Sequence, residues 1–179
     1  MAKETVSSLV DMVKEAISVE KYGNKLYLDT AKKTSNLLVK KTFLALADDE
    51  KKHIKALCAF YRTLSAGTAC PVLDALYAKS HKKAWGRVFK KPVKQINCLR
   101  GRDKNKVLKV YDIAMGLEEE GYRFYAKALG KSKSKEEKAL FAFLIKEENA
   151  HYELLRKSKQ YLETPEEFYL KEEKPIVEG

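Results

Sequence analysis

Asp49-Glu50-Lys51-Lys52-His53 and Glu147-Glu148-Asn149-Ala150-His151 decide the fold of this 179-residue chain. Each holds a Glu-x-x-His, and His151 follows His53 by 98 residues. The register extends outward from both without a gap. Ala16, Glu20, Gly23, Tyr27, Phe43, Leu46, Glu50, His53 and Leu57 recur as Ala114, Glu118, Gly121, Tyr125, Phe141, Leu144, Glu148, His151 and Leu155. Each half thus offers one lone Glu and one Glu-x-x-His. Four carboxylates and two imidazoles so ordered are what a four-helix bundle uses to hold two metal ions.

The 3.6-residue apolar period predicts four helices, over roughly 5–32, 35–64, 105–129 and 133–162. Gly130 is expected to cap the third, and Thr164-Pro165 to end the fourth. Short polar links make each pair antiparallel. A connection over 65–104, with a short helix after Pro71, then runs the length of the bundle to start the second pair at the correct end. The expected architecture is all-α: two antiparallel helix pairs joined by a long crossover, one domain over 1–163 and an acidic tail over 164–179.

A Glu-x-x-His places both side chains on one helix face, which also happens by accident on solvated helices. Here Glu50 and His53 share the apolar stripe of Phe43, Leu46 and Leu57, and Glu20 shares that of Ala16, Gly23 and Tyr27. Ionised carboxylates in a core are costly unless paired or metal-bound. Four of them without Lys or Arg on the same stripes would repel one another. Two divalent cations cancel that charge, and carboxylate with imidazole suits iron or manganese. His81, the third histidine, has no acidic partner at ligand spacing and is read as a surface residue.

Three cysteines, Cys58, Cys70 and Cys98, lack any C-x-x-C spacing, which excludes a four-Cys iron or zinc knot and argues for reduced thiols. No apolar run approaches the ~20 residues of a membrane span, and the N-terminus is unlike a signal peptide. A cytoplasmic protein is expected. The net charge of +11 is concentrated: residues 79–109 hold twelve Lys or Arg and one acid, Asp103, while the rest of the chain is balanced.

The same residues resemble the ferritin-like superfamily and, within it, rubrerythrin-like diiron proteins. The resemblance rests on Ala16 to Gly23 with Tyr27, on Ile113 to Tyr125, and on the two Glu-x-x-His segments, so it covers all four long helices. It implies two iron ions, with manganese the alternative. Glu20 and His53 would bind one ion, Glu118 and His151 the other, and Glu50 and Glu148 would bridge. Tyr27 and Tyr125, two turns beyond the lone Glu residues, are placed where such proteins keep a tyrosine behind the ligands; plain core packing explains them equally well. Two departures stand out: no rubredoxin-like C-x-x-C domain is present, and Met115 occupies the position of a seventh carboxylate. A nearly symmetric six-ligand centre, fed electrons from outside, is the expectation.

An oxidoreductase that reduces hydrogen peroxide or dioxygen fits best, with an acidic donor protein steered to the 79–109 stretch. Iron oxidation and storage is the second class, which a self-assembling shell would support. A tRNA hydroxylase is the third. Its only signal is charge, since Trp85 and Phe89 are the sole aromatics among those basic residues, so a nucleic-acid partner is not expected. A homodimer is the expected assembly.

Overall fold

A computed structural model describes residues 2–66 and 101–165 of the chain. Four helices are present among the described residues: α1 (Ala2–Lys33), α2 (Leu37–Ala66), α3 (Gly101–Lys131) and α4 (Lys135–Glu163). The short helix expected after Pro71, His81, Trp85, Phe89, Cys70, Cys98, the basic residues before 101 and the tail beyond 165 lie outside the described residues.

Local chemistry sets the helix ends. Asn36 caps α2, its Oδ1 accepting from the Val39 amide at 3.1 Å, while Thr34 Oγ1 accepts from the Asn36 amide. Ser134 caps α4 by accepting from the Glu137 amide, and Glu137 reaches back to accept from the Lys133 amide at 2.7 Å. This is a near relative of the capping box. At its far end the Thr164 amide donates to Gln160 O.

The expected cap at Gly130 is not found. Gly130 lies inside α3, in a conformation open to any residue, and the helix runs on to Lys131. Ser132 closes the end instead, its amide donating to Leu129 O and its hydroxyl to Ala128 O. The freed carbonyls found a hydroxyl partner, so no left-handed residue was needed.

α1 packs along α2, and α3 along α4; the pairs then meet through α2 against α4 and α1 against α3. The stripes read from sequence are the buried ones. Val13, Ala16, Tyr27, Phe43, Leu46 and Leu57 are all essentially inaccessible, as are Ala114, Tyr125, Phe141, Leu144 and Leu155. They form two apolar clusters, one around Tyr27, Phe43, Tyr111 and Leu155, the other around Val13, Leu57, Tyr125 and Phe141. The polar residues of the two motifs lie on the same stripes between these clusters. The fold is a ferritin-like four-helix bundle.

Candidate metal centre

Each helix contributes to one buried polar cluster. Glu20 comes from α1, Glu50 and His53 from α2, Glu118 from α3, Glu148 and His151 from α4. All six are at most 5% exposed. A helical step of three residues puts each Glu-x-x-His pair on the inward face, and burial of the flanking Leu and Phe residues holds that face in place.

The structure brings all six together. Oxygen and nitrogen atoms of Glu20, His53 and Glu148 lie within 4.8 Å of one another, and so do those of Glu50, Glu118 and His151. Both imidazoles turn Nδ1 inward. Glu50 spans them: its Oε2 is 3.1 Å from His53 Nδ1 and its Oε1 is 3.1 Å from His151 Nδ1. His151 Nδ1 is also 3.2 Å from Glu118, and His53 Nδ1 is 3.6 Å from Glu20. The two rings stack with centroids 5.3 Å apart.

Tyr27 and Tyr125 are both buried at the cluster. Each donates to the lone Glu of the other half: Tyr27 to Glu118, Tyr125 to Glu20. Each tyrosine lies two turns beyond the lone Glu of its own helix, and its hydrogen bond crosses the bundle to the other half. Burial and the neighbouring carboxylate charges raise both phenols well above their ordinary range, so both stay protonated donors.

Two further acids were missed by the sequence reading. Glu147 is 3.6 Å from His53 Nε2 and Asp49 is 3.8 Å from His151 Nε2, on the outer edges of the rings. Lys52 Nζ holds the other Asp49 oxygen at 2.6 Å. A signal existed. An acid directly precedes the motif Glu in both halves, at matching repeat positions.

The repeat is not perfectly obeyed in three dimensions. A side chain at Gly121 would place its Cβ 2.8 Å from Glu148 Oε2, whereas one at Gly23 would meet nothing closer than Leu117 at 3.6 Å. Glu148 therefore lies directly against the α3 backbone, and only glycine at 121 leaves that space. Met115 and Ile17, the repeat pair one turn before the lone Glu residues, are partly buried and pack into opposite apolar clusters.

Protonation in the metal-free cluster follows from crowding. Burial and the charge of Glu20 raise Glu50 to about 8, and burial with the charge of Glu118 raises Glu148 well above the usual carboxylate range. Burial also pushes Glu20 upward, but hydrogen bonding from Glu50 and the charge of His53 outweigh it and bring Glu20 to about 2. For the imidazoles burial acts downward, and the charges of Glu20 on His53 and Glu118 on His151 overcome it. Protons thus stand in for cations. Hard oxygen and imidazole donors, buried and short of positive charge, fit iron or manganese.

The sequence model of the rubrerythrin family matches residues 11–159. Among solved structures, a hypothetical protein from Pyrococcus furiosus shares the fold with a TM-score of 0.65 at 24% identity, over 88% of this chain and 92% of that one. No curated protein matches.

Proposed function

Because this chain belongs to the rubrerythrin family of ferritin-like diiron proteins, we propose that it is a diiron oxidoreductase reducing hydrogen peroxide, or dioxygen, with electrons from an external donor. The observation that carries this reading is Glu50, which offers one oxygen to the neighbourhood of each histidine at 3.1 Å. Glu20 and His53 would hold one iron and Glu118 and His151 the other, with Glu50 and Glu148 available to both. The bound pair supplies two electrons to one O–O bond.

The chain's own residues shape the centre around that pair. Tyr27 and Tyr125 hold the terminal carboxylates in place by donating to Glu118 and Glu20. Asp49 and Glu147 face the outer nitrogens of the imidazoles, which keeps a proton there and Nδ1 turned inward. The apolar clusters on either side exclude bulk water. An acidic electron carrier is steered by the basic stretch, of which Asp103 to Lys109 is the described end. A cytoplasmic location accords with this chemistry, and among the described residues no helix is long and apolar enough to cross a membrane.

The test is peroxide consumption by the iron-loaded, chemically reduced protein in single turnover. One equivalent of peroxide should be consumed per pair of ferrous ions. Rapid oxidation of many ferrous ions per chain into a mineral core would favour iron storage instead.

A further inference from the structure

Among the described residues the bundle is open between α1 and α3. A groove of about 750 Å³ lies there, in the size range of small-molecule sites. Its floor is apolar: Leu26 from α1, Val39 from α2, and Val107 and Val110 from α3. α1 borders it from Tyr22 to Lys33, about 17 Å at the helical rise per residue. The groove is therefore long and narrow rather than round.

Its two ends differ in chemistry. One ends on Tyr22 and Ile113, which are 60% and 59% exposed and are among the most exposed large apolar residues described, with exposed Lys25 one turn in from Tyr22. The other ends on Lys33, Thr34 and Ser35, where α1 gives way to the link into α2, with Lys106 opposite. Lys33 makes no ion pair with the described residues. Lys106 faces Asp103 at 3.9 Å with both side chains more than three-quarters exposed, a pair that contributes little. Asp29 lies midway along the groove. An apolar trough with two lysines at one end, Lys33 without an ion pair among the described residues, matches an amphipathic anion of similar length.

We propose that this groove binds a long-chain aliphatic carboxylate. Its carboxylate pairs with Lys33 beside the Thr34 and Ser35 hydroxyls, and its chain lies over Leu26, Val107 and Val110 toward Ile113. Occupation buries the exposed apolar end, which water otherwise covers at a cost proportional to area. The binding does not rest on the function proposed above.

Calorimetric titration of the full-length, iron-loaded protein with dodecanoate below its micelle concentration tests the site. One molecule should bind per chain. Lys33→Glu and Ile113→Asp, both at exposed positions that do not disturb the core, should each raise Kd at least tenfold. Lys138→Glu on α4 should leave it unchanged, and 1-dodecanol should bind the native and Lys33→Glu proteins equally. Absence of saturable dodecanoate binding would overturn the proposal, as would binding indifferent to either groove substitution. So would a Kd unchanged by Ile113→Asp when that substitution turns a dimer into a monomer, because the face would then belong to a second copy of the chain. Iron content and peroxide consumption, measured on the same samples, report separately on the metal reading.

Discussion

The Tyr27 hydroxyl donates to Glu118, so a residue of α1 holds a carboxylate of α3 across the centre of the bundle. Its repeat partner does the reverse, Tyr125 holding Glu20. Neither half can therefore build the site alone, and the helix pairs are tied together at the place where their charges would push them apart.

Removing one tie leaves a buried carboxylate short of a donor, which costs about 1–3 kcal/mol. Tyr27→Phe and Tyr125→Phe should each lower the stability of the metal-free protein by about that amount, in denaturant unfolding at neutral pH. Because the two bonds are related by the repeat, the two losses should be similar. An unchanged midpoint in both variants would mean that the phenols only fill space.

Gly121 and Gly23 separate stability from metal binding. Gly121→Ala forces the Glu148 carboxylate, a flexible group, to move away from the α3 backbone. Alanine also favours the helix by roughly 0.5–1 kcal/mol over glycine. The variant should be as stable as the native protein yet bind iron at least tenfold more weakly. Gly23→Ala meets its neighbours at ordinary contact distance, so it should retain two ions. Equal iron affinity in both variants would show that Glu148 is not a ligand.

How much of this was legible in the sequence depends on geometry that repeats along one helix. The stripes through Glu20, Glu50, His53, Glu118, Glu148 and His151 were legible because a 3.6-residue period projects directly onto burial. Asp49 and Glu147 fall one residue off their stripes, about 100° around the helix, and only packing of one pair on the other turns them toward the far histidine. The crossing bonds of Tyr27 and Tyr125 were hidden for the same reason. Gly130 misled because a glycine near a helix end permits a cap without requiring one, and Ser132 did the work of closing it.

The outer acids should tune affinity rather than stoichiometry. Asp49→Asn and Glu147→Gln keep shape but remove the charge facing His151 and His53. Such groups behind a metal-binding imidazole are worth about 10–100-fold in affinity. Competition with a chelator should show that loss with two ions still bound at saturation. Loss of one ion outright would make the acid a direct ligand.

Stability of the metal-free protein should fall between pH 5 and pH 8. Glu50, raised to about 8 from the usual 4.5, and Glu148, also raised, keep protons that the unfolded chain has already released. Folding stability therefore drops as pH rises through that interval. His53 and His151, raised from the usual 6.5, add a loss above that value. Glu20, lowered to about 2, works the other way, but its contribution is already complete above its unfolded value. Tm of the metal-free protein should be higher at pH 5 than at pH 8, and iron should abolish the trend by replacing the protons. A metal-free Tm that rises over this range would contradict shared burial of the carboxylates.

Anomalous diffraction from crystals of the iron-loaded protein, recorded on both sides of the iron edge, tests the two-metal centre most directly. Two peaks about 3.5–4 Å apart are predicted, one beside His53 Nδ1 with Glu20 and one beside His151 Nδ1 with Glu118, with Glu50 and Glu148 reaching both. A single peak, or iron on the outer side of the rings next to Asp49 and Glu147, would contradict it.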